Sequence, residues 1–223
     1  MLNLDKEISF TLGSEKDVKE ICKPLFNNSS VNFYEYKEVY YDGYTIDLNT
    51  ACDLVPAYYH ENLFPCKAEI EQLSSRYAFF SVLLGTPSMF KEYEKKWSRN
   101  LSLVKNSQHA ISHRFYIVVQ SPEMVEVSAF GTQIPDGKGL EFFMTNIDIF
   151  EKFRVYFKQK AHRLIQQHRL CPIKIPNFDH SPISNTKEFF IDKEKLLKEI
   201  ILDKFHIENT LIPKREVECL FHL

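Results

Sequence analysis

The sequence predicts an α+β fold: an antiparallel sheet with flanking helices, followed by a long helix. Three observations carry that expectation. Two pairs of β-rich runs, each joined by a short turn-forming segment, read as hairpins. Helical periodicity fills the stretches before, between and after them. Strands do not alternate one for one with helices, as a doubly wound parallel sheet requires.

The elements follow in order. Ser14 to Asp17 has the S-x-x-D form of a capping box, ahead of Val18, Ile21, Cys22 and Leu25 at helical spacing. Pro24 and the run Asn27-Asn28-Ser29-Ser30 are expected to end that helix. Over 31–48, two runs rich in Val, Tyr and Phe flank Asp42-Gly43, which suits a type I′ turn with positive φ at both central residues. From 50 to 106 the pattern is mostly helical, broken by Pro56, Pro65, Gly85 and Pro87, with helices expected over 69–83 and 89–98.

A second hairpin is expected from AISHRFYIVVQ and MVEVSAFG, joined by Ser121-Pro122-Glu123, with Ile117, Val118 and Val119 at a buried strand centre. Pro135-Asp136-Gly137-Lys138-Gly139 reads as a loop. The long helix is expected over 141–168. Phe143, Ile147, Phe150, Phe157, Ala161 and Leu164 form its apolar stripe, widened by Phe153 and Tyr156. Its first half is expected to cover the sheet and its second half to pair with its twin in a homodimer. Pro172, Pro176 and Pro182 punctuate a polar linker, and Asp192 is placed to cap an amphipathic helix burying Leu196, Leu197, Ile200 and Ile201.

Composition narrows the function classes. The chain has 223 residues, 28 Lys and Arg against 30 Asp and Glu, and 14% aromatic residues. A net charge of -2 excludes a nucleic-acid coat that is basic throughout, and the aromatic content excludes an acidic disordered chain. Neither GxGxxG nor GxxxxGK[ST] occurs. Five cysteines without CxxC spacing, together with an acidic N-terminus and no apolar run of membrane-spanning length, point to a cytoplasmic protein with free thiols.

Candidate ligand-binding residues are Tyr34, Tyr36, Tyr40, Tyr58, Tyr59, Trp97 and Arg114. Tyrosine offers a pocket a broad apolar face with a polar tip, although the same residues serve equally to pack a hairpin against helices. Arg114 offers an anion anchor. His109 and His113 are four apart, but the second enters a strand-like run, so no metal site is expected. Cys52 and His60 have no catalytic signature around them, and neither catalytic residues nor a cofactor is expected. The seven basic residues between Lys152 and Phe178 either steer DNA or form a solvated helix face.

The C-terminal run LIPKREVECLFHL resembles the opening helix of the LuxR-type helix-turn-helix domain. Ile212, Pro213, Lys214, Arg215, Glu216, Val217, Glu218, Cys219, Leu220 and Leu223 fall on its frame. The resemblance gives Arg215, Glu216 and Leu220 structural roles in that first helix and leaves base reading to a later recognition helix. It therefore implies that no DNA-contacting residue lies within 1–223 and that an intact protein meets DNA through the missing part. The run EVSAFGTQIPDGKGLEFFMTNIDIFEKFRVYFKQKAHRLI looks like the end of a PAS- or GAF-like sensor. The Trp, Tyr, Asp and Trp set of acyl-homoserine-lactone sensors does not align around Trp97.

Together these imply a PAS/GAF-like sensing and dimerising domain over 1–170, a linker with an amphipathic helix over 171–210, and a truncated first DNA-domain helix over 211–223. The expected partners are DNA, a second copy and a small ligand, with no membrane. The competing expectation is a stand-alone, non-enzymatic ligand-binding or interaction module.

Overall fold

Turn-forming residues bring β1 (Val31–Tyr40) against β2 (Tyr44–Asn49) and β4 (His113–Gln120) against β5 (Met124–Thr132). A computed structural model describes residues 4–63, 77–83, 94–105, 107–109, 111–135, 138–176 and 178, all within one unit, Met1–Ile183. With β3 (Tyr77–Leu83) and the two-residue β6 (Ile173–Lys174), the strands form a six-stranded sheet in the order β3-β4-β5-β1-β2-β6. Every neighbouring pair is antiparallel. The helices are α1 (Leu4–Asn28), α2 (Val55–His60, entered through a 3-10 turn at Cys52–Leu54), α3 (Glu94–Lys105), α4 (Gly139–Thr145), α5 (Ile147–Lys160) and α6 (His162–Leu170).

Side chains alternate across a strand, so each face of the sheet collects its own core. Tyr34, Tyr36, Ile46, Leu48, Phe115, Ile117 and Phe130 meet Val18 and Cys22 of α1, Phe143 of α4, Phe150, Phe153 and Phe157 of α5, and Ile165 of α6. On the opposite face, Val39, Val118 and Val125 meet Val55 and Tyr59 of α2, while Phe33 and Ala129 meet Val104 of α3. The expected α+β architecture is therefore present, as an antiparallel sheet between two helical layers.

Four local expectations change. The first helix begins at Leu4, and Ser14 sits inside it, buried, with its hydroxyl donating to the Thr11 carbonyl at 2.9 Å. Ile8 and Thr11 continue the buried stripe of Val18, Cys22 and Leu25 toward the N-terminus, and that packing overrides the cap signal. Pro24 lies within the helix, whose end is closed by Asn28 Nδ2 donating to the Pro24 carbonyl and Ser29 Oγ to the Leu25 carbonyl, both at 2.8 Å. The hairpin loop is Tyr41-Asp42-Gly43 rather than a two-residue type I′ turn. Only Gly43 has positive φ, 88°, and its N–H donates to the Tyr40 carbonyl at 3.0 Å.

The third change concerns 69–83, expected as a helix. Residues 77–83 are strand β3, paired from Tyr77↔Val119 to Leu83↔His113. A short apolar run such as YAFFSVL has no decisive period, and the partner strand settles its state. Residues 69–76 and 89–93 lie outside those described, and the next helix begins at Glu94.

The long helix is interrupted twice. At Asn146 the side-chain amide donates to the Phe142 carbonyl at 2.7 Å, while the backbone N–H turns to Phe143 at 3.3 Å. A second turn falls at Ala161. Phe150, Phe153, Phe157, Ala161 and Ile165 are all buried in the domain's own core, so the second half of the stripe does not serve a twin helix as expected. After α6 the chain returns to the sheet edge, where β6 pairs with β2 and Ile175 N–H donates to the Gly43 carbonyl at 2.9 Å.

His168 of α6 is buried, edge-on to Phe10 with ring centroids 6.2 Å apart. Burial pushes its imidazole pKa down to about 4. The unfolded chain then binds a proton that the folded one refuses. Its contribution is complete above the ordinary histidine range and is lost as pH falls toward 4, by up to about 3 kcal/mol. Urea unfolding at pH 7 and pH 4.5 is expected to show this acid loss in the native chain and a smaller one in His168→Leu.

Candidate functional site: a buried charge cluster

The antiparallel register sets Lys37 of β1 opposite Asp47 of β2, and Glu35 opposite Asn49. All four point to the face covered by α2 and are buried. Lys37 Nζ lies 2.7 Å from Glu35 Oε1 and 3.4 Å from Asp47 Oδ2. Asn49 Nδ2 donates to Glu35 Oε1 at 2.9 Å, and Tyr59 OH donates to Asp47 Oδ2 at 3.2 Å. Tyr58 places its ring 4.2 Å from the Lys37 ammonium, a cation–π contact. α2 thus covers the cluster with two adjacent tyrosines, and α1 adds Thr11 Oγ1, which donates to the Asp47 backbone carbonyl at 2.8 Å.

The electrostatics follow from burial. Desolvation opposes the Lys37 charge, but the Asp47 and Glu35 carboxylates outweigh it and raise the ammonium pKa above its usual range. Desolvation pushes the Asp47 carboxyl up, while Lys37 and the Tyr59 hydroxyl act against that rise. Asp47 Oδ1 is buried and accepts no hydrogen bond among the described residues. Tyr59→Phe removes one of the groups holding the carboxylate. It is expected to cost about 1–3 kcal/mol in urea unfolding and to move the Asp47 titration upward in carboxyl NMR.

A second cluster occupies the other face. Glu38 and Glu126 are cross-strand partners, and Tyr36 OH donates to both, at 2.8 and 3.3 Å. Arg169 of α6 grips Glu38 through two nitrogens at 2.8 and 2.6 Å. From α5, Arg154 reaches Glu126 at 2.5 Å, and Lys158 Nζ bonds the same carboxylate. Three of the seven basic residues in 152–174 therefore turn onto sheet carboxylates, fastening α5 and α6 to β1 and β5.

The sheet separates the five tyrosines grouped from sequence. Tyr34 and Tyr36 are core residues on the α5 side, where Tyr34 lies 4.6 Å from Phe157 between ring centroids. Tyr40 is on that face too, donating to Glu38 Oε2 at 2.6 Å. Only Tyr58 and Tyr59 adjoin the Lys37 cluster. Arg114 shares their face but lies over the Phe33 ring at 4.7 Å, with Nη1 3.5 Å from Tyr116 OH. Trp97 belongs to α3, and its side chain, like Arg215, Glu216 and Leu220, lies outside the described residues.

Glu35, Lys37, Asp47 and Asn49 were absent from the sequence-based set. Their signal is opposite charge at i and i+2 of one strand, facing an acid across the hairpin. That pattern ordinarily marks a solvated face, and here a helix covers it.

Other reactive groups are engaged elsewhere. The Cys52 thiol donates to the Thr11 and Asn49 carbonyls at 3.4 and 3.3 Å, and burial raises its pKa, which disfavours the nucleophilic thiolate. His60 Nε2 lies 2.9 Å from Asp5 Oδ1, and His109 Nε2 lies 2.6 Å from Asp53 Oδ1. His113, the first residue of β4, packs on Phe143 with centroids 5.7 Å apart. Among the described residues no group of three or more His, Cys, Asp or Glu could hold a metal ion, and no helix is long and apolar enough to cross a membrane. No family model matches the chain, and no curated protein is similar enough to count as a match.

Proposed function

We propose that residues 1–223 form the ligand- or partner-responsive sensing and dimerising region of a LuxR-type, DNA-binding transcriptional regulator that works in the cytoplasm and catalyses no reaction. The observation that carries this reading is the mixed-charge cluster enclosed between sheet and α2. A cluster of buried ions sustains a polar recognition site better than a featureless core does, and the antiparallel sheet between helices that holds it is compatible with the PAS- or GAF-like sensor implied by the sequence resemblance. The resemblance of 211–223 to the first helix of a DNA-binding domain supplies the output. A ligand that favours one arrangement of α2 over another would shift the population of states and so the spacing of two DNA readers.

The dimer half of the reading draws on the outer surface of α4 and α5. Leu140, Met144, Ile149 and Val155 are exposed there, large apolar side chains facing away from the buried stripe. A second copy covering them removes that surface from water. Sedimentation equilibrium of the 1–223 chain is expected to give a dimer at micromolar concentration, without sequence-specific DNA binding in a mobility-shift assay. Met144→Glu is expected to give a monomer with an unchanged circular dichroism spectrum, whose melting temperature no longer depends on protein concentration. A native chain that stays monomeric throughout would remove the dimerising role and leave the stand-alone module.

A further inference from the structure

We infer that the cleft between the end of α1 and the α4–α5 joint binds an uncharged aromatic molecule carrying an N–H donor, of the aryl amide type. Such a site goes beyond the regulatory reading, since it holds for a stand-alone module alike and concerns the sheet face opposite the Lys37 cluster.

The cleft exists because two helix ends meet without filling the space between them. α1 stops at Asn28, and Asn146 breaks α4 from α5. The opening there measures about 630 Å³, the size class of small-molecule sites. Leu25 and Phe150, both buried, and the half-buried Phe142 form its apolar part, with the half-exposed Ile149 beside them. Phe142 stands edge-on to Phe150, with ring centroids 5.9 Å apart and planes at 70°. A flat ring laid against Phe142 extends that edge-to-face array.

Two asparagines select the polar end of the ligand. Asn28 and Asn146 line the cleft, and each spends an amide N–H on the carbonyl four residues before it, Pro24 and Phe142. These bonds fix both amide groups, and neither Oδ1 accepts a hydrogen bond from the described residues. The Ser29 hydroxyl is already engaged, donating to the Leu25 carbonyl and accepting from the Val31 N–H at 3.1 Å. In an open cleft water solvates the two amide oxygens, so a ligand donor replaces a hydrogen bond rather than adding one. Apolar burial therefore supplies the affinity, and the donor supplies the selection.

Charge narrows the class further. Among the described residues no ionisable side chain lines the cleft, and Asp148, the charge nearest in sequence to Asn146, is paired with Lys152 at 3.0 Å. A carboxylate or an ammonium entering the cleft gives up water without gaining a counter-charge. An uncharged ligand avoids that cost.

Four probes of nearly one shape test this on the full chain: benzamide, acetophenone, which replaces the amide N–H group by a methyl, benzoate and benzamidinium. The side-chain amide signals of Asn28 and Asn146 and the methyl signals of Leu25 and Ile149 are followed by NMR. Both the native chain and Met144→Glu are titrated, since Ile149 also belongs to the surface offered to a second copy. Benzamide is expected to move all four residues in the millimolar range, acetophenone to bind about five-fold more weakly for want of one hydrogen bond, and the two ions more weakly still. Asn28 is exposed, so Asn28→Asp keeps the fold, and it is expected to turn the preference toward benzamidinium. Acetophenone bound as tightly as benzamide would overturn the role of the donor, and a native preference for either ion would overturn the uncharged class. An order of affinities unchanged in Asn28→Asp would remove Asn28 from the site. If no probe at tens of millimolar moves these signals in either form, the site itself is overturned, whereas the dimer is decided separately by sedimentation.

Discussion

Lys37→Met is expected to destabilise the protein by about 3–5 kcal/mol, because it leaves two carboxylates buried without their cation. Methionine matches the lysine stem in length but carries no ammonium, so the loss, the cation–π contact with Tyr58 included, is electrostatic rather than steric. The cost is expected to depend on pH with a definite sign. Burial already raises the Asp47 pKa, and removing Lys37 takes away the charge that opposes the rise. A carboxyl whose folded pKa is raised destabilises the fold as pH climbs through that value, so the penalty grows from pH 5 to pH 8. Chemical unfolding at those two pH values measures it. Adding Asp47→Asn to Lys37→Met is expected to restore part of the stability, whereas strictly additive losses would mean that the two residues do not share one cluster.

Phe157→Ala is expected to cost about 3–5 kcal/mol as well, by opening a cavity where α5 meets the sheet. The Phe157 ring is fully buried, with centroids 4.6 Å from Tyr34 and 5.7 Å from Tyr36. Tyr36 also hydrogen-bonds both Glu38 and Glu126, so its support matters to the ion pairs that fasten α5 and α6. The melting temperature is expected to fall by on the order of 10 °C. Backbone amides of α6 are expected to lose more exchange protection than those of α2, which lies across the sheet. Equal loss on both sides would mean that the two helical layers unfold as one unit.

The two hairpins were legible because the information that fixes them is local. Gly43 supplies the positive φ its loop needs, and the Val, Tyr and Phe runs on either side suit a pleated surface. The helix breaks were less legible. Asn146 ends α4 by taking over a bond to Phe142 that a backbone N–H would otherwise make, and nothing in the three- and four-residue spacing announces that exchange. Ser14 misled for the opposite reason, since a good local cap signal lost to packing by Ile8 and Thr11. Strand β3 depended on β4, 30 residues and more along the chain.

The charge cluster was hidden for a related physical reason. Glu35 and Lys37 look like the wet face of an amphipathic strand, but β1 lies near the centre of a sheet covered on both sides. Their partner Asp47 becomes meaningful only once the hairpin register places it opposite Lys37. Tyr58 and Tyr59 were singled out for their chemistry, and they do adjoin the cluster. Tyr34 and Tyr36, chosen on the same grounds, fell on the other face because even and odd positions of a strand point apart. The basic run of α5 and α6 likewise could not reveal that Arg154, Lys158 and Arg169 meet Glu126 and Glu38, carboxylates distant in sequence.

The most direct test of the regulatory role is to let the chain control a DNA reader. Residues 1–223 are joined to a helix-turn-helix reader that lacks its own dimerising part, and repression of a promoter with two matching half-sites is measured in cells. The sensing and dimerising role predicts repression well above that of the reader alone, abolished by Met144→Glu and altered several-fold by Asp47→Asn at equal protein level. Output equal to that of the reader alone, and indifferent to both substitutions, would contradict it.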